Sequence, residues 1–351
     1  MNKGFQLWCF GDAHVGTDLK RGRESLADAI RDSEELFEWD IAIDVGDMSG
    51  NQGLPDDDEG REVVRQSGTL KKHERERIYS VCGNHDRGGI HDIPAVWWQK
   101  WIDPLGEHTK HSGVDPTKRP FSVEGSWERY SFRTGNLLFL MMSDINEPSQ
   151  KIGRGDLGGN PSGVVSGDTF QWWKRMVESN PDSIIISAHH YMLKDTTVAS
   201  GEWEGVVKDE NGNWHNGYHG YKERGTPQGA SYLYFVDSMP DAQAFEHYLA
   251  DHPGAVDIWL GGHTHAHPDA FNGSKSHIET KWGTHFINVA ALTRYHSCKG
   301  FPNPPKSRLL TFTEGSDQLK IQCYMHTDEF IPKGWYDTAE RILPLSHSFC
   351  I

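Results

Sequence analysis

Side chains able to bind a metal ion or move a proton recur just past short apolar runs, in five places along the chain. Asp12 and His14 follow Phe5–Phe10, in Gly11-Asp12-Ala13-His14. Asp47 follows Ile41–Val45 in Gly46-Asp47, and Asn84 follows Arg77–Cys82 in Gly83-Asn84-His85-Asp86. His189 and His190 follow Ile184–Ala188, and Gly261-Gly262-His263-Thr264-His265 follows Val256–Leu260. Residues two apart in an extended chain project to one side, which pairs Asp12 with His14 and His263 with His265. Carboxylate, amide oxygen and imidazole are hard-to-borderline metal ligands. The set Asp12, His14, Asp47, Asn84, His189, His263 and His265 exceeds the needs of one tetrahedral ion. It suits two ions that share a bridging carboxylate, roughly 3.5–4 Å apart. Gly11, Gly46, Gly83 and Gly262 beside these residues permit sharp turns and close backbone approach.

The apolar runs that carry these residues read as strands. Ser25–Trp39 and Asp56–Lys72 read as helices between the first three, so the chain opens as β-α-β-α-β with strands parallel or mostly so. Arg129–Arg133 and Leu137–Ser143 form a hairpin around Thr134-Gly135-Asn136. Further strands are expected at Ile184–Ala188, Val256–Leu260, Phe286–Ala290, Arg308–Phe312 and Leu319–Met325, and helices at Asp168–Glu178 and Ala242–Ala250. In open α/β sheets the carboxyl ends of strands form the site rim, and five strands here deliver Asp, Asn or His to it. No composition break divides the chain. It reads as one domain, 1–351, with long insertions at about 88–123, 145–167 and 195–237.

In this order the blocks D-x-H, G-D, G-N-H-D, H and G-H-x-H resemble those of the calcineurin-like metallophosphoesterases. The resemblance spans residues 12 to 265. It implies an α/β fold of two packed mixed β-sheets flanked by helices, a four-layer sandwich. It implies that Asp12, His14 and His265 bind one metal, that Asn84, His189 and His263 bind a second, and that Asp47 bridges. The choice of His189 over His190 follows the usual form of that block. Manganese, iron and zinc all suit such a set. The resemblance further implies hydrolysis of a phosphoester by a metal-bridging hydroxide, with His85 aiding the leaving oxygen and Asp86 orienting the His85 imidazole. Purple acid phosphatases carry a tyrosine three residues after the bridging aspartate; Gly50 stands there, so no tyrosinate ligand is expected.

Composition narrows the substrate. The 351 residues carry 35 basic and 50 acidic side chains, a formal charge of -15, which argues against a partner held mainly through nucleic-acid phosphates. A small organic phosphodiester or phosphomonoester is the expected substrate; a nuclease on single strands and a non-catalytic interaction scaffold are the rival readings. Arg294, His190 and Tyr221 are candidate substrate contacts, Arg294 as a bidentate phosphate clamp. Asp44 and His267 stand close enough to the ligand blocks to support them, or to serve structure alone. No run approaches the length of a membrane span, so no membrane partner is expected. Five cysteines without a Cys-x-x-Cys pair point away from a disulfide framework and towards the cytoplasm.

Overall fold

A computed structural model describes residues 4–50, 53–87, 95–146, 163–201, 206–208, 214–216, 231–237, 239–271, 274–289, 291–293, 304–328 and 331–351. The strands are β1 (Gly4–Phe10), β2 (Ile41–Asp44), β3 (Ile78–Ser80), β4 (Glu124–Gly125), β5 (Arg129–Thr134), β6 (Leu137–Met142), β7 (Gly163–Val165) and β8 (Ile184–Ala188). They continue as β9 (Val206–Lys208), β10 (Trp214–Asn216), β11 (Leu233–Val236), β12 (Met239–Pro240), β13 (Ile258–Gly261), β14 (Ile278–Lys281) and β15 (Thr284–Asn288). The last four are β16 (Lys306–Thr313), β17 (Gln318–Met325), β18 (Gly334–Trp335) and β19 (Arg341–Pro344). Helices are α1 (Val15–Leu19), α2 (Ser25–Leu36), α3 (Asp57–Ser67), α4 (Val96–Trp101), α5 (Thr109–Ser112), α6 (Gly167–Glu178) and α7 (Gln243–Asp251).

Two seven-stranded mixed sheets dominate. One runs β18-β17-β16-β1-β2-β3, with β19 also pairing β17; the other runs β14-β15-β13-β8-β6-β5-β4. The β1/β2 and β2/β3 pairs are parallel, as the opening pattern predicts, and so are β6/β8, β8/β13 and β13/β15. The remaining pairs of these two sheets, such as β1/β16 and β5/β6, are antiparallel.

Strand alternation explains the layers. Leu7 and Cys9 of β1, Ile43 of β2, Phe139 of β6, Ile186 of β8 and Leu260 of β13 meet in one core between the sheets. Their neighbours face outward. Trp8, Phe10 and Ala42 pack against Leu26, Ala29 and Ile30 of α2 and Val63 of α3. Leu138, Ile185 and Trp259 pack against Trp173 of α6 and Phe245 and Leu249 of α7. Each sheet is therefore buried on both faces, which is why its strands read as unbroken apolar runs. Each such buried aliphatic or aromatic side chain contributes about 1.5–3 kcal/mol. The result is the four-layer α/β sandwich expected from the sequence. Among the described residues no helix is long and apolar enough to cross a membrane.

Some element boundaries differ from expectation. Helix α2 stops at Leu36 because Phe37 turns extended (φ -150) and its ring meets Tyr324 and Trp335. The segment expected as an irregular insertion after residue 88 contains α4. Its Trp97, Trp98 and Trp101 are buried, with Trp97 Nε1 donating to Asp56 O (2.6 Å) and Trp101 Nε1 to Asp57 Oδ1 (2.9 Å) at the start of α3.

The entry to β3 hangs on Glu34 of α2. Its buried carboxylate accepts the N–H groups of Lys71 (2.6 Å), Lys72 (2.9 Å) and His73 (2.9 Å). Burial alone would raise this carboxyl, but those N–H groups and the His73 imidazole outweigh it and hold it below the usual carboxylate range. A depressed folded value means that the stabilisation is complete above the unfolded pKa and is lost as pH falls through the folded one. Replacing Glu34 by Gln should cost about 1–2 kcal/mol at pH 7 in urea unfolding, and the gap from the parent should close below about pH 4. A gap that persists unchanged at pH 3 would show that the carboxylate charge is not what holds the turn.

Candidate metal centre

The site forms where β1, β2, β3, β8 and β13 end. Their loops are tied to one another by backbone bonds: Asp12 N donates to Gly46 O (2.8 Å), His14 N to Asp47 O (3.0 Å) and Gly262 N to His190 O (2.8 Å). The fit is tight enough to demand glycine. Gly46 has φ +96, and a Cβ there would lie 2.6 Å from Gly83 N. Strain extends to the candidate donor residues themselves. Asp12 (φ 53), His14 (φ 44), Asp47 (φ 57) and His263 (φ 61) all occupy the left-handed region. Each costs of order 1–3 kcal/mol and persists only because its surroundings over-determine it.

Two sets of donor atoms result. In the first, His265 Nε2 lies 2.9 Å from Asp12 Oδ1 and 3.2 Å from His14 Nε2. In the second, Asn84 Oδ1 lies 3.0 Å from both His190 Nε2 and His263 Nδ1. Asp47 Oδ2 stands between them, 3.7 Å from His14 Nε2 and 3.3 Å from His190 Nε2. Ligands bonded to one ion at about 2.1 Å lie about 3.0–3.4 Å apart in tetrahedral or octahedral arrangement. The donor spacing thus fits two ions with Asp47 shared. His190 Nδ1 meets Val45 O at 2.8 Å; a carbonyl only accepts, so Nδ1 carries a proton and Nε2 is the nitrogen turned to the cluster, able to bind an ion once the ion displaces the proton that Asp47 holds there.

This corrects the choice within the tandem histidine. His190, expected at the substrate, stands in the second set; His189, expected as the ligand, does not. The reason is strand alternation. Ile184, Ile186 and Ala188 of β8 face the core between the sheets, and His190 continues that side. His189 continues the outward side of Ile185, where its ring stacks on Trp259 at 3.5 Å and 5°. The other six expected ligands, Asp12, His14, Asp47, Asn84, His263 and His265, are brought together.

Asp86 also departs from its expected role. Its Oδ2 accepts Asp47 N (2.9 Å) and Gly83 N (2.9 Å), and its Oδ1 accepts Ser49 N (2.8 Å). Both oxygens are thus turned to backbone N–H groups, and the carboxylate locks the Asp47 and Asn84 loops together. His85 lies at the rim of the cluster, its ring 4.7 Å from that of His14 and its N–H on Asp47 Oδ1 (2.8 Å). Asp44 is buried beneath the cluster, with Oδ1 accepting Gly46 N at 3.0 Å. His267 is buried, with Nδ1 accepting Asp269 N at 3.0 Å. Arg294 and Tyr221 lie outside the described residues. Glu59 was not anticipated: its carboxylate accepts Gly16 N (2.8 Å), Gly50 N (2.6 Å) and the Ser49 hydroxyl (3.0 Å), pinning α1 to the Asp47 loop. Nothing in a charged helical stretch distinguishes it from a solvated residue.

The charges are mutually dependent. Burial would raise the Asp47 carboxyl, but His190, His85 and His14 outweigh it and hold the group well below the usual range. Burial would likewise lower His190, yet Asp47 and then Asp12 push it up to about 10. Burial and the neighbouring His190 hold His263 well below its ordinary value. Burial, with the Asp47 charge close by, pushes the Asp86 carboxyl up, opposed by the Ser49 and Gly83 N–H groups that favour its ionised form. Burial pushes Asp44 up to about 7.

No protein-family profile and no curated protein matches the chain. Solved structures do. A predicted phosphoesterase from Streptococcus pneumoniae aligns over 98% of this chain and 99% of its own at 9% identity and a TM-score of 0.35. Vacuolar Protein Sorting 29 from Cryptosporidium parvum aligns over 97% and 98% at 12% identity and 0.38. A 5'-nucleotidase precursor from Thermus thermophilus aligns over 94% of this chain and 56% of its own at 12% identity and 0.44.

The geometry at Gly262 is directly testable. A Cβ there would lie 2.3 Å from Asp12 Oδ2 and 3.0 Å from Val45 Cγ2. Asp12 cannot yield freely, because its carboxylate also accepts His263 N (3.0 Å). Gly262→Ala should therefore destabilise the metal-free protein by about 1–3 kcal/mol in urea unfolding. A change within about 0.5 kcal/mol would mean that the Asp12 loop yields to the added methyl group.

Proposed function

We propose that this chain is a binuclear metal-dependent phosphoester hydrolase acting on small organic phosphates. The observation that carries the reading is the pair of donor sets sharing Asp47. Asp12, His14 and His265 would hold one ion, and Asn84, His190 and His263 the other. When bound, such ions offset the charge of phosphate oxygens and lower the pKa of water enough to supply a nucleophile near neutral pH.

The chain's own groups account for the rest. Asp47 is the one carboxylate common to both sets, and the Asp86 carboxylate holds its backbone in place. The inward-facing Nε2 of His190 is fixed by Val45 O. His85 borders the cluster without belonging to either donor set assigned here, which leaves its imidazole to meet a substrate. Its role is to stabilise charge on the leaving oxygen or protonate it. No protein nucleophile is needed. The formal charge of -15 favours small substrates over nucleic acids.

The test uses the full chain loaded with Mn2+ and two aryl phosphates, p-nitrophenyl phosphate and its bis ester. About two equivalents of metal should bind, and hydrolysis should vanish with EDTA. Asp47→Asn should weaken both sites and abolish turnover. His85→Asn should keep its metal while turnover falls about 10²–10⁴-fold. Two bound ions without hydrolysis of either ester would favour the scaffold reading. Loss of metal from His85→Asn would make that residue a ligand.

A further inference from the structure

His189 leaves an imidazole that the proposed chemistry does not use. Its Nδ1 lies 2.8 Å from Asp144 Oδ1 and its Nε2 lies 2.7 Å from Ser187 Oγ. Serine, histidine and aspartate stand here in the order of a hydrolytic triad. The surroundings exclude that use. Ser187 is 0% exposed, its Oγ accepts Trp173 Nε1 at 3.0 Å, and Trp259 covers the face of His189. No substrate carbonyl can approach.

The directions of the hydrogen bonds show what the network does. A carboxylate only accepts, so His189 carries its proton on Nδ1 and donates it to Asp144. Nε2 then accepts the Ser187 hydroxyl proton, and Ser187 Oγ accepts from Trp173. On its other oxygen, Oδ2, Asp144 accepts the backbone N–H of His190 (3.0 Å) and of Tyr191 (3.0 Å). Three donors converge on one carboxylate that is itself 0% exposed. Two of them belong to the turn that carries the His190 imidazole towards Asn84 and Asp47. The carbonyl of Tyr191 is held in turn by Trp259 Nε1 (2.9 Å), the ring stacked on His189.

We infer that Asp144 is a positioning residue for the second ion of the proposed centre, acting through the backbone of His190 and Tyr191 and through its clamp on His189. This rests on the metal-centre reading above. Asp144 stands two residues past β6, so the clamp sets the end of β8 against its neighbour strand. Without it, two buried N–H groups lose their acceptor and the His190 turn is free to move. The first set, Asp12, His14 and His265, does not touch this network. The effect should therefore fall on one ion and not the other. Partners that orient a ligand typically alter metal affinity by about 10–100-fold.

Calorimetric titration of the full chain with Mn2+, alongside 15N-histidine NMR of the metal-free protein, tests this. The parent should take about two equivalents of Mn2+ and show His189 protonated on Nδ1. Asp144→Ala should weaken one equivalent by about 10–100-fold and leave the other unchanged. Asp144→Asn keeps an oxygen for the two N–H groups but turns an amide N–H towards His189. It should recover most of the affinity while moving the His189 proton to Nε2. Should Asp144→Ala not fold, that tautomer reversal carries the test alone, because a general loss of stability does not produce it. Equal weakening of both ions by Asp144→Ala, or no weakening, would overturn the inference. So would a parent His189 protonated on Nε2, or a proton that stays on Nδ1 in Asp144→Asn. A parent that binds no Mn2+ would refute the metal centre and this role for Asp144, whereas a parent that binds two with unchanged Asp144 variants would refute only the positioning role.

Discussion

The Asp47 carboxylate is 1% exposed and has an imidazole on either side, His14 Nε2 at 3.7 Å and His190 Nε2 at 3.3 Å. A carboxylate buried alone would be protonated, because desolvation penalises its charge. Here the surrounding imidazoles and the N–H of His85 keep it ionised. That one requirement dictates much around it. Histidines must arrive from β1, β8 and β13, and the loops must approach closely enough for glycine alone to fit at 46. The backbone must also enter the left-handed region at Asp12, His14, Asp47 and His263. Such strain costs free energy that the packed sheets beneath must offset.

That support is polar as well as apolar. Beneath the donor atoms lies a tier of buried carboxylates that accept backbone N–H groups. Asp86 serves the Asp47 and Asn84 loops, Glu59 the Gly16 and Gly50 turns, and Asp144 the His190 turn. The turn that carries His263 and His265 is held by a further side-chain bond, Asn288 Nδ2 donating to Thr264 Oγ1 at 2.6 Å. Each such acceptor satisfies donors that the turn geometry would otherwise leave buried and unpaired, at a cost of about 1–3 kcal/mol apiece. The rigidity of the donor cluster thus comes from residues outside it.

Much of this was legible beforehand. The strand runs, the parallel opening and the flanking helices follow from apolar periodicity, because both faces of each sheet are buried and the runs are therefore continuous. The five blocks at strand ends, four of them flanked by glycine, marked the rim for the same local reason. Helix ends were less legible. Phe37 looks like a continuation of α2 in sequence, yet it leaves the helix to join Tyr324 and Trp335, nearly three hundred residues away. The role of Glu59 was equally hidden, since a glutamate that caps distant turns reads like one that faces water.

By itself, the sequence determined which residue types could meet. Asp12, His14, Asp47, Asn84, His263 and His265 each follow a strand by a few residues, and strand ends of parallel sheets share an edge. Tertiary structure alone decided between neighbours. His189 and His190 are chemically identical and one position apart, so they point to opposite faces of β8. Which face looks into the cleft depends on the sheet packed opposite, and that is a long-range fact. The same holds for Asp86, whose position beside His85 suggests a partner for the imidazole. Its carboxylate instead meets three N–H groups that only the folded loops bring together, and an acceptor buried among unpaired donors binds them first.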